Sequence, residues 1–78
     1  MKRTNGKTRF AVCVNNEDYE ASLEIGKVYQ VLPDTKATKH RLTRVIDESG
    51  EDYLYPADWF HPVKLPSSVQ HALVQAAS

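Results

Sequence analysis

The stretch Tyr53-Leu54-Tyr55-Pro56-Ala57-Asp58-Trp59-Phe60 carries the strongest fold signal in the chain. Its first three residues alternate as in a β-strand, which places the two tyrosines on one face of a sheet. Pro56 ends that strand because proline has no amide hydrogen to donate to a ladder. Residues 57–60 predict a short turn that leads to a last strand at residues 62–65. The stretch therefore predicts two strands joined by a short aromatic turn.

Upstream of this stretch, runs of β-formers recur at similar spacing. Three such runs are residues 9–14, 27–32 and 42–47. Asp34 is placed to cap one helical turn over residues 35–40, and Gly50 supplies the positive φ that a hairpin at 48–51 requires. Five short strands with turns every ~8–12 residues are typical of a β-sandwich or barrel.

The two ends of the chain follow different patterns. Residues 1–8 hold one apolar side chain and three basic ones, which predicts a flexible tail. Ser67-Ser68-Val69-Gln70 fits a capping box. Apolar side chains then recur at helical spacing at Val69, Ala72, Leu73 and Ala76. We therefore expect an ordered β domain at 9–65 and a segment at 66–78 whose helix, at about 68–76, packs on the sheet.

Composition and charge restrict the class of protein. The chain has 78 residues, 41% hydrophobic and 26% charged, which fits one small globular domain. Ten basic and ten acidic residues cancel, which argues against a bulk-basic nucleic-acid binder. With no apolar run of ~20 residues and no signal-peptide pattern, we expect a cytoplasmic protein that does not enter a membrane. The single cysteine, Cys13, excludes an internal disulfide and is predicted to be a small buried side chain.

The order of these signals resembles that of a Src-homology-3 (SH3-like) barrel over residues 11–63. Residues 11–15 stand where that family has its Ala-Leu-Tyr-Asp-Tyr strand, and residues 17–24 match its acidic loop. Residues 23–32, with Gly26 at the turn, resemble the diverging turn and second strand.

The resemblance continues at the hairpin and the closing motif. Residues 48–51 match the distal hairpin, and Tyr55-Pro56-Ala57-Asp58-Trp59-Phe60 is similar to the family's closing Ile-Pro-Ser-Asn-Tyr-Val motif. Residues 48–56 also resemble short bacterial proteins. The resemblance implies a mainly β fold: a five-stranded SH3-like barrel over 9–65, followed by a short C-terminal α-helix.

The family uses a shallow groove of aromatic residues and one proline to bind proline-rich peptides, and its acidic loop selects a basic residue. The resemblance places groove and acidic-loop positions at Pro56, Trp59, Glu17, Asp18 and Glu20. The sequence departs from the family where Cys13 and Asn15 replace the two groove tyrosines and Arg41 or Leu42 replaces the groove tryptophan. The resemblance therefore supports the fold better than the ligand.

The first functional hypothesis is a small non-catalytic protein-interaction module, whose partner is another protein or a peptide with basic and apolar side chains. Its expected partner-binding residues are Trp59, Pro56, Tyr55, Tyr19, Glu17, Asp18 and Glu20. The sequence leaves open whether Trp59 anchors a partner or packs on the end of the barrel. The period of two also allows Tyr53 and Tyr55 to belong to the core or its rim.

The alternative is a small barrel that binds nucleic acid through a basic patch and through a basic tail that comprises Lys2, Arg3, Lys7 and Arg9. That patch comprises Lys36, Lys39, Arg41 and Arg44. A third hypothesis is that the C-terminal helix lies across the conventional groove and blocks it. A homodimer also stays open.

Catalysis and metal binding have no sequence support. The glycines are scattered, so there is no phosphate-binding loop. His40, His61 and His71 lack ligand spacing, and residues 47–52 lack the full ligand ladder of a calcium loop. We therefore expect no enzyme activity, no cofactor and no metal.

Overall fold

The computed structural model describes residues 9–77, which form a five-stranded antiparallel sheet and two α-helices. In chain order these are β1 (Arg9–Cys13), β2 (Val28–Leu32), α1 (Thr35–Lys39), β3 (Leu42–Ile46), β4 (Asp52–Pro56), a 3-10 helix (Ala57–Trp59), β5 (Phe60–Val63) and α2 (Ser67–Ala77). The strand order is β4-β3-β2-β1-β5. The predicted mainly β chain with five strands and a C-terminal helix is confirmed, whereas the predicted tail at 1–8 lies outside the described residues.

The sheet bends so that its two edge strands approach each other. β4 and β5 occupy opposite edges, yet only the three residues of the 3-10 helix join them. Pro56 and Phe60 are four residues apart in the chain and therefore at most ~14 Å apart. The rings of Tyr55 in β4 and Phe60 in β5 have centroids 6.1 Å apart. Both edge strands thus contribute side chains to the same interior.

The interior contains side chains from all five strands and from the connection before β2. These are Ala11, Cys13, Leu23, Tyr29, Val45, Tyr55 and Phe60, with Val31 and Trp59 packed against them. Cys13 is fully buried, its thiol donates to the Asn15 carbonyl at 3.3 Å, and burial raises its pKa. The prediction that Cys13 is a small buried side chain is confirmed.

β5 begins two residues earlier than the sequence indicates. Phe60 is buried and pairs with Cys13 of β1, so it belongs to the strand rather than to the preceding turn. Pro62 lies within β5 opposite Ala11. An edge strand accepts this proline because no neighbour on its free side requires an amide hydrogen.

Two turns form as predicted, and an arginine ties one of them to the sheet. Asp34 caps α1 by accepting from the Ala37 amide at 2.9 Å. Its second carboxylate oxygen accepts from Arg44 at 2.8 Å, and Arg44 also donates to Asp52 at 2.6 Å. Arg44 therefore links α1, β3 and β4. At the β3–β4 hairpin, Gly50 has a φ of 85°.

Helix α2 lies over the outer face of the sheet. Phe10 and Ile46 are adjacent in sequence to the core residues Ala11 and Val45, so they point to the opposite face. Phe10, Ile46 and Leu73 of α2 line one cavity of about 350 Å³. Leu73 therefore places α2 on the outer side of the sheet.

Two details of the α2 prediction are wrong. In place of the capping box, the Pro66 carbonyl accepts from the Val69 and Gln70 amides at 3.0 Å each, and the Gln70 side chain donates to the Leu65 carbonyl at 2.7 Å. The predicted apolar stripe is only partly used. Leu73 is half-buried, whereas Val69 is 41% exposed.

Candidate functional site

Four aromatic rings meet at one end of the sheet, and three of them are partly exposed. Tyr19 has ring centroids 5.3 Å from Tyr55, 5.8 Å from Trp59 and 6.2 Å from Tyr53. Tyr53 and Tyr19 are 52% and 37% exposed, and Trp59 is half-buried. We call the rings of Tyr19, Tyr53 and Trp59, packed around Tyr55, the aromatic platform. Contacts at these distances and tilts are favourable between aromatic rings.

The connection between β1 and β2 holds Tyr19 in position. The Tyr19 amide donates to the Asn16 carbonyl at 2.8 Å, and the Tyr19 carbonyl accepts from the Leu23 amide at 3.0 Å. Leu23 is fully buried, and the Asn16 side chain donates to its carbonyl at 2.9 Å. Asp18 adopts a φ of 69°, a conformation that aspartate tolerates better than most residues. The connection is thus an ordered turn anchored in the core.

The 3-10 helix holds Trp59 in position. The Trp59 carbonyl accepts from the Val14 amide at 2.8 Å, and the Ala57 amide donates to the Arg41 carbonyl at 2.9 Å. The indole stacks on Tyr55 with an interplanar angle of 26° and packs against the core. Trp59 therefore packs against the core and is also partly accessible, so its position is compatible with both roles that the sequence left open.

Tyr55 was expected to contact a partner, but its side chain is only 1% exposed. Its hydroxyl donates to Asp47 at 2.6 Å. Burial, and then this hydrogen bond, raise the pKa of Tyr55. Burial alone would raise the pKa of Asp47, but hydrogen bonds from Ser49 and Tyr55 outweigh it and lower that pKa. Tyr55 thus supports the platform from below instead of forming its surface.

A second tyrosine–carboxylate contact holds the start of the β3–β4 hairpin, next to the one between Tyr55 and Asp47. The Tyr29 hydroxyl donates to Glu48 at 2.5 Å and accepts from the Glu24 amide at 2.7 Å. Lys27 also donates to Glu48, at 2.6 Å. The bond from Lys27, followed by that from Tyr29, lowers the pKa of Glu48. Adjacent carboxylates at the start of the hairpin therefore each bind a core tyrosine.

In the sequence, the rings of the platform are flanked by carboxylates that form no ion pair within residues 9–77. Glu17, Asp18 and Glu20 adjoin Tyr19, Glu51 lies near Tyr53, and Asp58 adjoins Trp59. All five are exposed. Within residues 9–77, the ion pairs are Lys27–Glu48, Arg44–Asp34 and Arg44–Asp52, so none of the five is paired there. Pro56 is the remaining predicted groove residue. It is half-buried and lies two residues before Asp58 in the chain.

The basic patch of the alternative hypothesis is smaller than predicted. Lys36, Lys39 and Arg41 are exposed and form no ion pair within residues 9–77. Arg44 is instead held by Asp34 and Asp52, which neutralise it. Of the basic tail, only Arg9 falls within the described residues.

The third hypothesis, a groove blocked by the C-terminal helix, does not fit this geometry. Leu73 of α2 faces the outer-face cavity. Tyr53 pairs with Val45, and residues paired across strands share a face, so Tyr53 and Tyr55 point to the core side. The helix and the platform therefore lie on different faces of the sheet.

Sequence reasoning missed Tyr53 as a surface residue of this site. A signal was present, because the triplet Glu-Asp-Tyr occurs twice, at residues 17–19 and 51–53. The fold brings the two tyrosines of these triplets into contact across more than thirty residues of chain. Local patterns do not show that proximity.

The described residues contain no group of three or more histidine, cysteine, aspartate or glutamate side chains placed to hold a metal ion. In the same part of the chain, no helix has the length and apolar character needed to cross a bilayer. The arrangement offers an aromatic surface with an acidic border. No protein-family model, curated protein or solved structure matches this chain.

Proposed function

We propose that the chain is a small non-catalytic protein-interaction module that binds its partner at the aromatic platform. The observation that carries this proposal is the set of three partly exposed rings held in mutual contact above the buried Tyr55. Aromatic side chains offer large, rigid contact area with little conformational entropy to lose, which is why they dominate the energetics of binding surfaces.

We further propose that the sheet is an SH3-like barrel. Supporting this are the strand order β4-β3-β2-β1-β5, the three-residue connection between the two edge strands, and the interior shared by all five strands. The resemblance of residues 55–60 to the closing motif of that family agrees with a 3-10 helix at 57–59. Cys13 and Asn15 lack the groove rings of the family, and Tyr19 and Tyr53 supply aromatic surface in their place.

The partner that suits this surface is a protein or peptide segment with basic and apolar side chains. Arginine and lysine bind the faces of exposed aromatic rings, with a gain of about 0.5–1 kcal/mol at exposed sites. Five unpaired carboxylates on the border attract such a segment and orient its approach. The proposal therefore predicts binding that weakens as salt is added.

The test is a selection of peptides from a random display library on the full chain, followed by affinity measurements on three variants. Tyr53→Ala removes a ring that is 52% exposed, and Trp59→Ala removes the half-buried indole. Val69→Ala is the control, since it removes an exposed apolar side chain from α2. We expect selected basic peptides to bind Tyr53→Ala and Trp59→Ala at least tenfold more weakly, a change of about 1.4 kcal/mol.

Unchanged binding to a folded Tyr53→Ala variant would refute the proposed face, even if Trp59→Ala fails to fold. The nucleic-acid alternative is supported by the exposed Lys36, Lys39 and Arg41. If single-stranded DNA binds the chain and the triple variant Lys36→Glu/Lys39→Glu/Arg41→Glu abolishes that binding, the alternative replaces the proposal.

A further inference from the structure

Charge is divided unequally between the first eight residues and the rest of the chain. Residues 1–8 contain Lys2, Arg3 and Lys7 and no acidic residue. The remaining seventy residues therefore hold seven basic against ten acidic side chains. The neutral chain is thus a basic segment attached to an acidic domain, and unlike charges within a Debye length of about 10 Å attract each other at 0.1 M salt.

Most of the exposed acidic residues that form no ion pair within residues 9–77 are close in the sequence to the aromatic platform. Glu17, Asp18, Glu20, Glu51 and Asp58 adjoin or lie near its rings in the sequence, and none is paired within residues 9–77. Elsewhere, Asp34, Asp52 and Glu48 are each engaged by Arg44 or Lys27, and Asp47 accepts from Tyr55. Glu24 is the one exposed acidic residue away from the platform that forms no ion pair within residues 9–77. The platform is therefore the surface of the described chain that best complements a basic segment.

The length of the segment restricts which of its charges can reach the platform. β1 begins at Arg9, and its other end lies beside Trp59, whose carbonyl accepts from the Val14 amide. The five residues of β1 span about 14 Å from first to last at ~3.4 Å per residue. Arg3 is six residues before Arg9 and can reach up to ~22 Å, whereas Lys7 can reach only ~7 Å.

From these observations we propose that the basic segment at residues 1–8 binds the aromatic platform of its own chain, through Arg3 and Lys2, and competes there with the partner. The inference rests on the proposed function, because it treats the platform as a binding face, and it adds the regulation of that face. A short tether gives an effective concentration of the order of mM, so even a weak contact is populated.

The predicted consequence is a measurable loss of apparent affinity for other basic ligands. Occupation of the platform by the segment lowers the fraction of chains that are free to bind. An effective concentration of ~1–4 mM and a dissociation constant of ~1 mM for the separate segment give a two- to fivefold weaker apparent affinity.

The experiment compares the full chain with Arg3→Glu and with Lys7→Glu. Both variants change the net charge equally, but only Arg3 can reach the platform. We expect Arg3→Glu to shift the NMR resonances of the Trp59 indole and of the Tyr19 and Tyr53 amides, and Lys7→Glu to leave them in place. A synthetic peptide of residues 1–8 should bind Arg3→Glu about two- to fivefold more tightly than the unaltered chain or Lys7→Glu.

Three results would overturn the inference: equal effects of Arg3→Glu and Lys7→Glu, no effect of either at the platform, or shifts that disappear on dilution. The last result would place the contact between chains. These outcomes are separable from failure of the proposed function. If Tyr53→Ala still abolishes binding of selected peptides while Arg3→Glu has no effect, the platform binds partners and the segment does not regulate it.

Discussion

The hydroxyl of Tyr55 is a single group on which both the core and the platform depend. Replacing it by Tyr55→Phe keeps the ring but removes the donor to Asp47 at 2.6 Å. A hydrogen bond to a charged group contributes about 1.5–3 kcal/mol. Water reaches the half-buried Asp47 and replaces part of the lost bond, so we expect the lower part of that range, about 1.5–2 kcal/mol.

A loss of this size is large for so small a domain. Single cores below about 80 residues seldom supply more than ~3–5 kcal/mol, so Tyr55→Phe should remove roughly a third to two-thirds of the stability. The same loss corresponds to a fall in Tm of about 6–16 °C. Tyr53→Phe is the matched control, since it makes the same change two residues away on an exposed ring whose hydroxyl bonds to nothing within residues 9–77. Tyr53→Phe should lower the free energy of unfolding by no more than about 0.5 kcal/mol.

The assay is urea unfolding followed by the fluorescence of Trp59, at a series of pH values from about 7 down to the most acid pH at which the chain stays folded. Because the folded chain lowers the pKa of Asp47, its ionised form stabilises the fold above the unfolded value of about 3.9, and that stabilisation is lost as the pH falls through the folded pKa. The difference between Tyr55→Phe and the unaltered chain should therefore shrink to about 1 kcal/mol once the pH has fallen below the folded pKa of Asp47. Equal costs for Tyr55→Phe and Tyr53→Phe at neutral pH would refute the reasoning.

Three further predictions concern the turns and the second buried tyrosine. In thermal unfolding, Asp34→Ala should lower Tm more than Asp34→Asn does. Asparagine can still cap α1 and loses only the charge opposite Arg44. An equal fall in Tm for the two variants would assign the whole effect to the ion pair with Arg44. Gly50→Ala should lower the free energy of unfolding by about 1–2 kcal/mol in urea unfolding, because alanine is strained at the φ of 85°. No atom lies within 4 Å of the added Cβ, so the loss comes from the backbone alone. Gly50→Asn should lower it less, because asparagine tolerates a positive φ. Burial, followed by the bond to Glu48, raises the pKa of Tyr29, so stability is complete below the unfolded value of about 10 and is lost as the pH rises towards the folded pKa. Tyrosinate absorbance from Tyr29, identified by its loss in Tyr29→Phe, should appear together with unfolding in an alkaline titration, and earlier ionisation would contradict the burial argument.

The strands were predictable because their signals are local. The β-formers at residues 9–14, 27–32 and 42–47 specified β1 to β3 to within a residue at either end. Asp34 and Gly50 marked their turns correctly, since capping and positive φ depend on neighbours close in the chain. The start of β5 at Phe60 was not predictable in the same way, because its strand character comes from pairing with Cys13 across the chain.

The candidate site was predicted in part for a related reason. Trp59 and Tyr19 were singled out by their turn positions and their acidic neighbours. Both Tyr53 and Tyr55 were expected in the core or its rim, and Tyr55 also at the partner surface, whereas Tyr55 is buried and Tyr53 is exposed. Both tyrosines share one face of β4, but Tyr55 is 1% exposed and Tyr53 is 52% exposed. The rings of Trp59 and Phe60 pack on Tyr55 and do not contact Tyr53. Sequence periodicity specifies the face but not the depth.

The pairing of the first strand with the last has a consequence for how the chain is made. Phe60, the partner of Cys13, follows it by 47 residues. At a synthesis rate of about 5–20 residues per second, this interval is about 2–9 s. During that time β1 has at most β2 as a neighbour, and its other edge is open to pairing with any strand that the growing chain or another chain presents. The nascent protein is therefore exposed to mispairing until its fifth strand has been synthesised.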